Sequence, residues 1–96
     1  MVLSFSLLLP LGLTNVRVFD EPTKKALYAQ QTAAAKERGE SNCPYCAIGH
    51  DANHTKIWDL KDMGADHVAA WSKGGATTIE NCQMLCKTHN RAKGNR

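Results

Sequence analysis

Two short pairs of metal-binding residues constrain this chain more than any other feature of its sequence. Cys43 and Cys46 form a CxxC turn, and Cys86 and His89 form a CxxH turn much further along the chain. Two such turns supply the four ligands of a tetrahedral Zn²⁺ site. A chain of 96 residues buries only about two-thirds of the surface that its unfolded form exposes, so it needs an additional cross-link. The pairs predict a structural zinc knuckle that joins two distant segments.

Other uses of the cysteines compete with this interpretation. The four thiols could pair as two disulfides, which the spacing does not favour. Cys43 and Cys46 could form a redox dithiol, but the strand-turn-helix context of a thioredoxin-like site is missing. Cys82 could replace Cys86, yet no ligand follows it three residues on, because residue 85 is leucine. We therefore predict that Cys82 is a small buried apolar residue.

Two further histidines, in the segment after the CxxC turn, form a second possible pair of metal ligands. His50 and His54 are four residues apart and could share a metal on a helix face. Their segment, AIGHDANHTK, has little helical periodicity. We therefore expect both side chains to be exposed in a loop at residues 47–56.

A leading helix is predicted over residues 21–38. Asp20 is a good N-cap, and Glu21 and Pro22 suit the first turn, where free amides and the positive end of the helix dipole lie. Strong helix formers follow, and Gly39 stands where a C-terminal cap is needed. This helix is expected to pack and to carry no chemistry.

The second half of the chain alternates between strand and turn signals. Residues 57–66 and 79–85 are predicted strands, and the turn-forming cluster at residues 72–75 makes them a hairpin with a long loop. A short basic helix is predicted over residues 87–95. The sequence therefore predicts the order helix, zinc-type turn, strand, loop, strand, helix.

The N-terminal residues 1–19 differ from the rest of the chain. Residues 1–13 are almost wholly apolar and resemble the core of a signal peptide, but no basic residue precedes them and no clear cleavage site follows. The run is also too short to span a bilayer. We interpret residues 1–19 as a strand or docking segment of a larger protein, or as the product of an upstream start. Residues 20–96 then form the domain.

The basic residues are concentrated at the C-terminal end, although the formal net charge is only +3. Residues 67–96 contain one acid and five basic residues, whereas residues 1–66 contain eight acids and seven basic residues. Such a cluster is typical of a phosphate-binding surface or of a solvated tail. The basic residues of this end are Lys73, Lys87, Arg91, Lys93 and Arg96.

A spaced set of polar residues follows the pattern DH…GG…N…CxxHN..K. Its members are Asp66, His67, Gly74, Gly75, Asn81, the CxxH turn, Asn90 and Lys93. This pattern resembles the HNH endonuclease family, in the form whose third signature position is Asn, and it covers residues 43–93. The resemblance implies an α+β chain with a small ββα-metal (His-Me finger) fold, a preceding helix and a structural zinc knuckle. Many family members have a fourth Cys where this chain has His89, which leaves open that His89 serves the active site.

The needs of phosphodiester hydrolysis suggest a role for each polar residue of this pattern. The reaction requires a base that activates water and a cation that neutralises the charge on the phosphate. His67 can be the base, and Asp66 and Asn90 offer hard oxygen ligands for one Mg²⁺ or Mn²⁺. The resemblance implies that Asn81 orients His67. Because neighbouring side chains on a strand point to opposite faces, a bend or strand end must bring Asp66 and His67 together.

The basic helix completes the predicted site. Asn90 and Lys93 are three residues apart and share a helix face, which places a metal ligand beside a phosphate-binding ammonium. Arg91, Lys87 and Lys73 are predicted to contact flanking phosphates. Such contacts carry no sequence information, so other domains or subunits would supply specificity.

The predicted function is that of a cytoplasmic, metal-dependent endonuclease that hydrolyses DNA, with no membrane partner. The alternative is a non-catalytic, zinc-stabilised nucleic-acid-binding module, which would need only the knuckle and the basic end. A third hypothesis is a purely structural zinc-binding fragment of a larger protein.

Overall fold

The computed structural model describes residues 18–94. The apolar run at residues 1–13 lies outside the described residues, as does the end of the last predicted helix. In chain order, the helices and strands are α1 (Glu21–Arg38), α2 (Pro44–Ala47), β1 (Met63–His67), β2 (Cys82–Cys86) and α3 (Lys87–Lys93). Short 3₁₀ helices lie between them, at Ala52–Thr55, Leu60–Asp62, Trp71–Lys73 and Ile79–Asn81.

Local signals set both ends of α1, and its predicted bounds are confirmed. The Asp20 carboxylate accepts a hydrogen bond from the backbone N–H of Thr23 at 2.9 Å, which caps the first turn. Hydrogen bonds from the side chain and backbone of Thr23 lower the pKa of this carboxyl group. Gly39 ends the helix with φ 70°, and its N–H donates to the carbonyls of Ala35 and Lys36. This left-handed conformation suits glycine, which lacks a Cβ.

Polar side chains attach α1 to the rest of the molecule. The Gln31 amide donates to the Met84 carbonyl at 2.7 Å and accepts from the Met84 N–H at 3.1 Å, so it pairs with β2 like a short strand. Buried Asn42 donates to the Thr32 hydroxyl and forms two hydrogen bonds with the backbone of Trp58. These bonds satisfy buried polar groups that would otherwise destabilise the fold, and they fix α1 against the hairpin.

The hairpin and the last helix form a ββα unit, as predicted. β1 and β2 are antiparallel, and their register pairs Met63 with Cys86 and His67 with Cys82. α3 begins directly after β2, so its first turn lies beside the start of β1. The core lies between the hairpin, α1 and α2, and its buried residues are Cys43, Cys46, Met63, Met84, Leu85 and Cys86.

The strands are shorter than predicted, and the predicted bounds are wrong. Both begin after a 3₁₀ turn, at Met63 instead of residue 57 and at Cys82 instead of residue 79. The residues before Met63 do not pair with β2. Two of them, Trp58 and Leu60, are partly buried and pack against the core. The apolar residues of this stretch fit the composition of a strand, but a strand also requires hydrogen bonds to a partner strand. Only five residues of each strand have such a partner.

The remaining predictions concern exposure and membrane contact. His50 and His54 are exposed, as expected, although His54 lies in the 3₁₀ helix Ala52–Thr55. Within residues 18–94, no helix combines the length and the apolar character needed to cross a membrane.

Candidate metal centre and catalytic cleft

Four side chains from three elements meet at the zinc knuckle, which comprises Cys43, Cys46, Cys86 and His89. Their ligand atoms all lie within 4.8 Å of one another. The three thiol sulfurs lie 3.3 to 3.6 Å from Nδ1 of His89, and the sulfurs of Cys46 and Cys86 are 3.8 Å apart. Tetrahedral zinc with bonds of about 2.3 Å to sulfur and 2.0 Å to nitrogen places its ligands about 3.8 and 3.5 Å apart. The cluster therefore has the dimensions of a Cys₃His zinc site.

The electrostatics of the knuckle also favour a cation. Burial and, to a smaller extent, the neighbouring thiols of Cys43 and Cys86 together raise the pKa of the Cys46 thiol to about 12. Three adjacent thiolates repel one another unless a metal ion neutralises them. Cys82 is buried at the start of β2 and lies outside the cluster, so it is not a ligand, as predicted.

The end of β1 and one face of α3 enclose a second site, the candidate catalytic cleft. This cleft has a volume of about 430 Å³. Its lining includes Asp66 and His67 at the end of β1, and Asn90 and Lys93 on α3. The end of the strand thus brings two sequence neighbours to one cavity, and the helical spacing of three residues adds the other two.

Asp66 is the buried anion of the cleft, with 6% of its surface exposed. Its Oδ2 accepts a hydrogen bond from the Gln83 amide at 2.9 Å and lies 2.9 Å from the ammonium of Lys93. Lys93 also donates to the backbone carbonyl of His67 at 2.8 Å. The carboxylate is therefore held in place by β2 and α3, and the Lys93 ammonium is its counter-charge.

His67 is held by contacts that the sequence did not indicate. Its Nε2 lies 2.9 Å from the hydroxyl of Thr77, which belongs to the loop between the strands. Its ring also packs on Phe19, with 4.4 Å between ring centroids. An edge contact and a face contact together restrict rotation of the imidazole.

Asn81 organises the loop that follows His67. Its side chain accepts from the Ala69 N–H at 2.8 Å and donates to the carbonyls of Ala69 and Ala76. Its backbone carbonyl accepts from the N–H of Val68, the residue after His67. These bonds hold both sides of the loop, so Asn81 can orient His67 through the backbone that connects them.

The match to a family model agrees with this geometry. The model of the HNH endonuclease family matches residues 43–96, which is more than half of the chain. The chain belongs to the HNH endonuclease family. No curated protein and no solved structure matches the chain. The family assignment therefore rests on the match to the family model, and the ββα unit and the knuckle are consistent with it.

The basic residues of this HNH domain differ in exposure. Lys87 and Arg91 are exposed and four residues apart on α3, and Lys73 is exposed in the loop between the strands. Lys93 lies inside the cleft, with 15% of its side chain exposed. Lys24 of α1 also lines the cleft and pairs with Glu21 at 2.7 Å, and no sequence motif indicated this role for it.

Gly64 allows α3 to lie close to β1. A Cβ at this position would overlap the side-chain amide of Asn90. Glycine inside a strand is a known sign of a close approach by another segment, so this contact was detectable in the sequence. Thr77, Gln83 and Phe19 offered no comparable signal, because their roles depend on partners distant in the chain.

Proposed function

We propose that this protein is a metal-dependent endonuclease that hydrolyses DNA phosphodiester bonds, with His67 as the general base. The observation that carries the proposal is that Asp66, His67, Asn90 and Lys93 line one cleft. Together they offer a base, two oxygen ligands and a cation, which are the groups that phosphodiester hydrolysis requires. Membership of the HNH endonuclease family supports the same reaction class.

His67 suits the role of base because its ring is held at Nε2 by the Thr77 hydroxyl. In the tautomer in which Nε2 carries the proton and donates to that hydroxyl, Nδ1 carries the lone pair that accepts a proton from water. A fixed imidazole avoids the loss of orientation that would slow proton transfer.

The donor set of the cleft fits a hard divalent cation. Asp66 contributes a carboxylate and Asn90 an amide oxygen, which are ligand types that suit Mg²⁺ and Mn²⁺. The ammonium of Lys93 lies 2.9 Å from Asp66 Oδ2, so a metal ion that binds this oxygen would compete with it. A bound Mg²⁺ or Mn²⁺ would neutralise charge on the scissile phosphate and the leaving oxygen.

DNA is the proposed partner, held through its phosphates. Lys87, Arg91 and Lys73 are exposed around the cleft elements and can contact the backbone on either side of the scissile bond. Phosphate contacts give affinity without base recognition, so we expect cleavage with little sequence preference unless other domains or subunits provide it.

Nicking of plasmid DNA tests the proposal. The zinc-loaded protein is incubated with supercoiled plasmid and Mg²⁺ or Mn²⁺, and the rates of the wild type and His67→Ala are compared. Loss of a general base lowers the rate by about 10² to 10⁴-fold. His50→Ala is the matched control, because His50 is exposed and lies outside the cleft.

The outcomes separate the hypotheses. A large loss in His67→Ala with an unchanged rate in His50→Ala supports the proposal. Equal nicking by wild type and His67→Ala would exclude His67 as the base. Binding of DNA without nicking under either metal would favour the non-catalytic nucleic-acid-binding module.

A further inference from the structure

Phe19 lies outside the residues that match the family model, yet it touches the proposed base. It is the residue before Asp20, the N-cap of α1, and only 5% of its surface is exposed. Its ring centroid lies 4.4 Å from that of His67, with 39° between the ring planes. Phe19 also lines the catalytic cleft, so it forms part of the wall beside the imidazole.

We propose that Phe19 is a positioning residue for His67. The inference rests on the proposed function, in which the imidazole is the base. Thr77 contacts one edge of the imidazole at Nε2. The Phe19 ring covers a face of the imidazole and opposes rotation about χ2, because that rotation would drive the two rings into each other.

The position of Phe19 is itself fixed by α1. The Asp20 cap holds the first turn of the helix, and the two hydrogen bonds between Gln31 and Met84 attach the helix to β2. β2 is in turn paired with β1, where His67 ends the strand. A closed path of hydrogen-bonded elements therefore connects Phe19 to His67, and the contact between the rings does not depend on bound DNA.

The chemistry of the pair also favours positioning over binding. Phe19 offers no hydrogen-bond donor or charge to a phosphate, and its burial leaves little of its ring for contact with a substrate. Its removal should therefore change the rate of the chemical step more than the affinity for DNA.

Substitution of Phe19 tests the inference in the zinc-loaded protein. Phe19→Leu keeps an apolar side chain but removes the aromatic ring, and Phe19→Tyr keeps the ring. We expect Phe19→Leu to lower kcat for plasmid nicking by about 10-fold with KM changed less than about 3-fold, because misplacement of a catalytic group by a fraction of an ångström costs this much. Phe19→Tyr should keep kcat near the wild-type value.

Nuclear magnetic resonance provides a readout that does not depend on activity. An aromatic ring shifts the resonances of protons that it faces, so Phe19→Leu should move the His67 ring signals and Phe19→Tyr should leave them close to their wild-type positions. Tyr45→Leu is the matched control, because Tyr45 packs on His89 at 5.7 Å between centroids. It should move the His89 signals and leave those of His67 unchanged.

Several results would overturn the inference. One is a wild-type spectrum without nuclear Overhauser contacts between the rings of Phe19 and His67, a measurement that stands even if Phe19→Leu fails to fold. Another is a Phe19→Leu protein whose KM rises while kcat is unchanged, which would make Phe19 a substrate contact. If the wild type does not nick DNA, the proposed function fails, and the spectra alone decide whether Phe19 fixes His67.

Discussion

Asp66 and Lys93 illustrate how single residues set the properties of the candidate catalytic cleft. The carboxylate is buried, and its Oδ2 is shared between the Gln83 amide and the Lys93 ammonium. A buried charge without a partner is strongly unfavourable, so Lys93 stabilises the fold when no other cation is bound. The lysine that is proposed to contact phosphate therefore also neutralises the proposed metal ligand.

Lys93→Met should lower the free energy of unfolding by about 3 kcal/mol when divalent cations are absent, because it leaves the Asp66 carboxylate buried without a counter-charge. Mn²⁺ should then stabilise the variant more than the wild type, since the ion no longer competes with an ammonium. Thermal unfolding with and without Mn²⁺ measures both effects.

The control for this prediction is Lys87→Met, which removes an exposed lysine from the same helix. It should change stability by only a few tenths of a kcal/mol. Equal stability of Lys93→Met and Lys87→Met would show that the Asp66 carboxylate does not need Lys93.

At the scale of elements, the approach of α3 to β1 determines whether the cleft exists. Gly64 lies two residues before Asp66 on β1, and its Cα faces the amide of Asn90 on α3. The absence of a side chain allows helix and strand to approach closely enough for Asn90 to share the cleft with Asp66.

Gly64→Ala should destabilise the domain by about 1 kcal/mol, because the new Cβ overlaps the Asn90 amide and forces this side chain into another position. It should also slow plasmid nicking, since Asn90 is displaced. Urea unfolding and the nicking rate measure the two effects.

A double-mutant cycle tests the cause of this effect. Asn90→Ala removes the overlapping amide, so Gly64→Ala should cost much less stability in the Asn90→Ala background than alone. Activity should remain low in the double variant because the amide oxygen is lost. Additive losses of stability in the cycle would contradict a clash between these two residues.

At the scale of the whole molecule, the zinc knuckle joins α2, the end of β2 and the start of α3. Zinc binding at such a site can contribute about 10 kcal/mol to folding, which is comparable to the entire stability of a small domain. Because burial and neighbouring thiols hold the pKa of Cys46 at about 12, zinc must displace protons from thiols as it binds. Zinc binding is therefore favoured as the pH rises and is weakened in acid, where protons compete for the ligands.

Removal of zinc should unfold the domain. A strong chelator at neutral pH should abolish the circular dichroism signal of folded protein, and lowering the pH from about 8 to 6 should lower the concentration of chelator required. Circular dichroism together with the measured zinc content checks both expectations.

Two cysteines that are four residues apart provide the matched control. Cys86→Ala removes a ligand of the knuckle and should lose zinc and fold together. Cys82→Ala truncates a buried thiol outside the cluster and should retain one zinc per chain. Zinc retained by Cys86→Ala would contradict the Cys₃His assignment.

The sequence alone determined those features that depend on neighbours in the chain. The bounds of α1 follow from Asp20, Pro22 and Gly39, because caps and first-turn residues act on the backbone within a few positions. The zinc ligands follow from two turns whose spacing lets each pair converge on one ion. The spaced pattern likewise indicated Asp66, His67 and Asn90, which line the cleft, whereas its middle residue, Asn81, is not among the lining residues.

Only the tertiary structure decided the features that depend on partners far along the chain. The strands begin at Met63 and Cys82 because pairing, and not apolar composition, defines a strand. Phe19 and Thr77 reach His67 because α1 and the interstrand loop fold back onto the end of β1. Such contacts leave no periodic pattern, since packing between distant segments is set by the shape of the assembled fold.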